Sequence, residues 1–272
     1  MIASIKAEWR KNRFRPAFLV SAGLIAGIVA LFYSAEWYQA THPGGPRELV
    51  SILTLYPDQF VNNVMGAAFP LGAAMAIVLG ALITGSEYSW GTLKTVLTQR
   101  PGRLSTLVGR VVVFQVWMGI MTLIIFAAGA AYSVVIASFQ GHTIVWPAAI
   151  DIVKGIGAVW LVLAVNGALG MALGVLFRQS AAALGVGLIY VTVLQIILVR
   201  FIASFNGGAY KWITNWFDGQ NATALLNSFT SPAFGHSTPP AIGAEQAVLT
   251  LAAYLAAFAI AAAALLRQRD VT

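Results

Sequence analysis

Glu87, Tyr88, Trp90, Gly91, Thr92, Leu93 and Lys94, followed by Arg100, Pro101 and Arg103, form a polar, basic island between two long apolar runs of a 272-residue chain. A carboxylate, several cations, two aromatic rings and a Gly-Thr pair suit recognition by an aqueous partner better than bond-making. The usual catalytic groups are sparse elsewhere. The three histidines, His42, His142 and His236, fall in loops, and no cysteine occurs, which excludes a disulfide framework, a thiolate metal site and a cysteine nucleophile. No G-x-x-x-x-G-K-[ST] stretch occurs, so the chain has no P-loop for ATP. Gly155-Ile156-Gly157 and Gly185-Val186-Gly187 sit in apolar runs and lack the rest of a dinucleotide fingerprint.

The elements around the island read as membrane helices. Apolar residues make up 59% of the chain and charged residues 9%, whereas a soluble domain carries about a quarter charged. So few charges cannot cover a water-facing surface of this size. About 20 apolar residues at 1.5 Å rise cross a ~30 Å hydrocarbon core. On that measure six spans are expected, at about 17–35, 64–85, 111–138, 155–177, 179–199 and 246–266, with Pro70 kinking the second. The expected fold is all-α, integral to the membrane and built as one domain.

Twelve of the sixteen Lys and Arg residues fall on the side of the N-terminus in this topology, and four (Arg47, Lys154, Arg200 and Lys211) fall opposite. The positive-inside bias therefore places both termini in the cytoplasm. It also accounts for the net charge of +7 without a nucleic-acid partner. The first span exceeds a signal-peptide core in length, and Tyr33-Ser34-Ala35 is a poor cleavage site. Residues 2–15 carry Ile2, Ile5 and Trp9 beside Lys6, Arg10 and Arg13, the pattern of an amphipathic helix along the inner leaflet. Tyr210, Trp212, Trp216 and Phe217 suit the headgroup belt or a helix dipping into the membrane. Gly23 with Gly27, and Gly170 with Gly174, have the four-residue spacing of close helix packing.

Polar groups within the spans are few. Gln115, Asn166 and Gln195 are expected to serve as helix–helix hydrogen bonds, and no carboxylate chain suggests a proton relay. Asn221-Ala222-Thr223 matches a glycosylation sequon by chance. In the island, Gly85 and Ser86 allow a turn, Glu87 favours a helix N-terminus, and Pro101-Gly102 ends a short amphipathic helix.

Glu87-Tyr88-Ser89-Trp90-Gly91-Thr92-Leu93, then Arg100-Pro101-Gly102-Arg103, resembles the E-x-x-x-G-T-hydrophobic and P-x-x-R pattern of ABC-2-type transporter permeases. The ending Leu265-Leu266-Arg267-Gln268-Arg269-Asp270 is similar to the L-x-R-R-D close of bacterial members, with Gln268 in place of a basic residue. Asp218-Gly219-Gln220-Asn221-Ala222 resembles their P-x-N-A piece but lacks its proline.

The resemblance implies an ABC-2-type architecture in a bacterial inner membrane, paired with a second permease copy. It implies an exporter of a lipophilic, peptide or drug-like substrate, driven by separate ABC ATPase subunits that hold the ATP and magnesium; this chain binds no cofactor and is not itself an enzyme. Glu87, Tyr88, Trp90, Gly91, Thr92, Leu93, Arg100, Pro101 and Arg103 would form the coupling segment, with Arg269 and Asp270 as the C-terminal motif. The alternative is a secondary transporter or channel independent of ATP.

Overall fold

The structure is a computed structural model and describes residues 2–42, 52–89, 103–229 and 241–268. Its α-helices are α1 (Ile2–Asn12), α2 (Pro16–Thr41), α3 (Phe60–Ala67), α4 (Ala73–Ser89), α5 (Arg103–Phe139), α6 (Ala149–Phe177), α7 (Ser180–Ile189), α8 (Gln195–Ser204), α9 (Lys211–Thr214), α10 (Asp218–Asn227) and α11 (Ala244–Gln268). Among the described residues there is no strand. Six stretches are long and apolar enough to cross a membrane: Pro16–Thr41, Ala68–Ser86, Val108–Phe139, Ala149–Phe177, Ser180–Gly208 and Ala244–Leu265. The protein is an all-α, multi-pass membrane protein. Six spans bring the chain back to its starting side. We call the side of α1 and the C-terminal end of α11 the near end and the other the far end.

Most helices outrun the lengths that a charge-free window predicts. α2 continues past Glu36 to Thr41, whose hydroxyl donates to the carbonyl of Trp37 (2.9 Å). α5 starts at Arg103 rather than 111, and α6 takes Asp151 and Lys154 into its first turns. A helix satisfies its own backbone, so it can carry charged residues beyond the hydrocarbon. The third and fourth spans end close to where expected, with Gly141 (φ +63°) just past α5 and Arg178, left-handed (φ 54°), just past α6.

The second and fifth spans are interrupted. Pro70 breaks the second span, with Phe69 extended (φ −144°, ψ 133°) between α3 and α4. Proline has no N–H to give the ladder and disfavours helix at the residue before it. In the fifth span a π turn, Tyr190–Leu194, joins α7 to α8. The helix then runs on through Arg200, which is therefore part of the helix and not of a loop.

α6 is the central helix, buried along most of its length, and α4 packs along it as its principal partner. Their approach is backbone to backbone: a Cβ on Gly170 would lie 2.9 Å from the Cα of Ile77, and Thr84 donates to the carbonyl of Met171 (3.2 Å). Gly170 and Gly174 thus act as expected. Gly23 and Gly27 do not, since a Cβ on either would meet nothing within 4 Å.

Candidate functional site

The near end is built on α1. Its Ile5 and Trp9 face the core, and the Trp9 ring stacks on Trp117 of α5 at 5.4 Å between centroids. Phe18 also stacks on Trp117, at 4.7 Å between centroids. Glu8, on the same buried face, pairs with Arg110 of α5 at 3.6 Å, and Ser4 and Ser105 share a hydrogen bond of 3.1 Å. Lys6, Arg10 and Arg13 are exposed. The amphipathic pattern of α1 is real, but part of its apolar face packs on protein, where an interfacial helix would face only lipid. Glu8→Gln is expected to lower stability by roughly 1–3 kcal/mol, because a buried cation loses a charged partner; thermal unfolding in detergent measures it.

α4 continues without a turn through Gly85 and Ser86 to Ser89. Gly85 is where α4 meets the start of α7: an added Cβ would lie 2.6 Å from the Cα of Ser180. Glu87 therefore sits in the last helical turn, where the macrodipole does not favour an acid, and not at the expected N-terminus. Tyr88 packs with Ala172 and Val175 of α6 and Ala262 of α11, so it anchors the bundle, whereas the sequence pattern had it facing a partner. Arg103 is the first residue of α5. Trp90, Gly91, Thr92, Leu93, Arg100 and Pro101 lie outside the described residues, as do Arg269 and Asp270.

At the other end of α4, the Phe69–Pro70 break and the π turn of the fifth span line one cleft of about 480 Å³, closed on a further side by Gly219 and Gln220 of α10. α10 is not one of the six spans; it comes in from the far end and packs on α11, α3 and α6. This carries the Asp218 carboxylate to the fifth span, where its Oδ1 accepts from the hydroxyl of Tyr190 (2.6 Å) and from the amide of Gln195. Gln195 also donates to the Tyr190 hydroxyl oxygen (3.1 Å).

The π turn makes this triad possible. Residues five apart in an α-helix point about 140° from one another. A π turn, with its i→i+5 bond, brings them nearly onto one face, and the Gln195 N–H accordingly bonds the Tyr190 carbonyl. Burial pushes the Asp218 carboxyl above its ordinary range. Bonds from Tyr190, from the backbone at Gly219 and Asp218, and from Gln195 oppose that shift without cancelling it.

Gln195 is the only one of the three expected polar bridges that joins two elements by its side chain. The Asn166 side chain donates to Val162 within its own helix (2.9 Å), and the Gln115 side-chain amide has no partner among the described residues, although the Gln115 backbone carbonyl accepts from the Trp160 indole N–H (3.2 Å). Asn221 is fully buried and donates to the carbonyls of Asn215 and Phe217 (both 2.8 Å), which fastens α10 to the turn before it. That is a structural task, and no glycan could reach it.

The Tyr190–Gln195–Asp218 triad and the Glu8–Arg110 pair escaped the sequence pattern. Both join residues far apart in the chain. The one local signal was the five-residue spacing of Tyr190 and Gln195, which means nothing unless the helix is known to widen there.

A family model described as "Protein of unknown function (DUF2705)" matches residues 53–272, from the loop before α3 to the end of the chain. No curated protein matches the chain.

Proposed function

The chain belongs to the DUF2705 family, whose description assigns no activity, and we propose from its own residues that it is the permease subunit of an ATP-binding-cassette exporter. On this reading the near end is cytoplasmic, a second permease copy completes the pathway, and a separate ATPase docks on the 87–103 segment. The membrane is a bacterial inner membrane.

One observation carries the proposal. α4 is a continuous helix of 17 residues, about 25 Å long, fixed backbone to backbone on α6. It begins three residues after the broken Phe69–Pro70 turn and ends at the island. A push on residues 90–102 by an ATPase would be carried along a stiff rod, and the rod ends at a cleft that two interrupted spans share. A helix end held only by lipid would dissipate such a push.

The island remains the point of entry for the energy. Glu87→Ala with Gly91→Val is expected to leave the permease inserted and monodisperse while retention of a co-expressed ATPase falls roughly tenfold, about 1.4 kcal/mol. Undiminished co-purification together with undiminished ATP-dependent transport sinks the coupling role.

A second reading has its own observation. A buried carboxylate next to interrupted spans is what an ion-coupled secondary transporter uses, and Asp218 has that setting. The two readings separate in proteoliposomes: the first requires ATP and the ATPase, while the second runs on a proton or sodium gradient with neither.

A further inference from the structure

Arg200 stands within a stretch long and apolar enough to cross a membrane, yet its guanidinium has no hydrogen bond or ion pair among the described residues. Its side chain is exposed and lines the cleft of about 480 Å³ together with Phe69, Pro70, Val191, Ile196 and Val199. We propose that this cleft binds an amphiphile with an anionic head, a phosphate or carboxylate that pairs with Arg200, its apolar tail lying along the other five residues.

Three features support that ligand class. The volume falls in the range of small-molecule sites, roughly 300–1,000 Å³, and such sites are mostly apolar with a few placed polar groups. Val191, Ile196 and Val199 climb the fifth span from the π turn, and Arg200 lies about 13 Å above Val191 toward the far end. Tail and head regions are therefore separated along one axis. Finally, Arg200 lies about 30 Å along its span from Ser180, at the level of the far membrane boundary, and the planar guanidinium matches phosphate and carboxylate with two parallel bonds.

Asp218, whose neighbours Gly219 and Gln220 line the same cleft, is buried at 1% exposure and forms no ion pair with Arg200. The apolar walls disfavour a bare anion, and a cation with no partner among the described residues disfavours a wholly neutral hydrocarbon. The site does not depend on ATP coupling, so its test uses the permease alone and its failure leaves the coupling reading standing.

The experiment is equilibrium binding of radiolabelled dodecyl phosphate to the full chain in phosphatidylcholine nanodiscs. Saturable binding is expected. Arg200→Gln should weaken it roughly tenfold or more, Arg200→Lys should weaken it less, and Thr192→Trp, which fills the cleft from an exposed lining position, should abolish it. Inorganic phosphate and dodecanol should compete poorly, since each offers half of the ligand. Phosphatidylglycerol added to the discs separates the sources: competition assigns the site to a bilayer lipid and lack of it to a free amphiphile, and the site stands in both cases. Wild-type affinity in both Arg200→Gln and Thr192→Trp, equal competition by inorganic phosphate, or binding that never saturates overturns the assignment.

Discussion

Gly170→Ala is expected to cost the bundle about 3 kcal/mol, the upper end of ordinary overpacking, whereas Gly157→Ala on the same helix is expected to cost nothing. A Cβ at Gly170 would sit 2.9 Å from the Cα of Ile77 and closer still to its carbonyl oxygen. Both are backbone atoms of α4, and no side-chain rotation relieves the overlap. The two central helices would have to separate, losing contacts along the whole seam, including the Thr84 bond to Met171. Gly157 faces outward, with nothing within 4 Å of its added methyl. Each variant replaces one glycine by alanine in α6, so the difference isolates packing from helix propensity. Thermal unfolding in detergent, followed by size-exclusion profile, checks it; equal midpoints for the two variants would refute the backbone contact. Because α4 is the rod of the coupling proposal, Gly170→Ala should also reduce ATP-dependent transport in whatever fraction folds.

Asp218→Ala is expected to be destabilising by about 1–3 kcal/mol, since it orphans the part-buried Tyr190 hydroxyl, while the Gln195 amide keeps its bond to the Tyr190 oxygen. Asp218→Asn keeps an acceptor at the same place and should retain most of the stability. The pair of variants also predicts a pH dependence. The folded-state pKa of Asp218 is raised by burial from its ordinary 3.8, so the folded protein holds the proton more tightly than the unfolded chain. The group's contribution is then fully present below the ordinary carboxylate range and is lost as pH rises through the folded value. Above that value the carboxylate must be buried charged, and the protein melts at lower temperature. In Asp218→Asn this part of the pH dependence should vanish. Melting midpoints from pH 4 to pH 8 measure it; a wild-type midpoint that climbs with pH while the variant's stays flat contradicts the sign.

The membrane class, the six spans and their approximate places could be read from composition and charge-free runs, because lipid permits few backbone solutions and each leaves a long apolar signature. The boundaries were less legible. α5 and α6 carry charged residues for a turn or more beyond the hydrocarbon, and a charge-free window stops too early. Glu87 illustrates the limit well: Gly85 and Ser86 look like a turn in isolation, yet the close approach of Ser180 uses Gly85 as a contact within a continuous helix. Local propensity was overruled by a neighbour 95 positions away.

What the sequence by itself determined is therefore the solvent of each segment: apolar runs in lipid, basic residues at the near end, and a break at Pro70, whose missing N–H acts on its own helix alone. What only the tertiary structure decided is which segments meet. The arrival of α10 from the far end, the Glu8–Arg110 pair and the shared cleft join residues from separate elements. None of these has a period in the chain. Hydrophobic burial and backbone satisfaction act within a helix and are written along it. Helix-to-helix contact depends on the few small residues and rare polar groups that let two particular surfaces approach, and those are specified only when both surfaces are present.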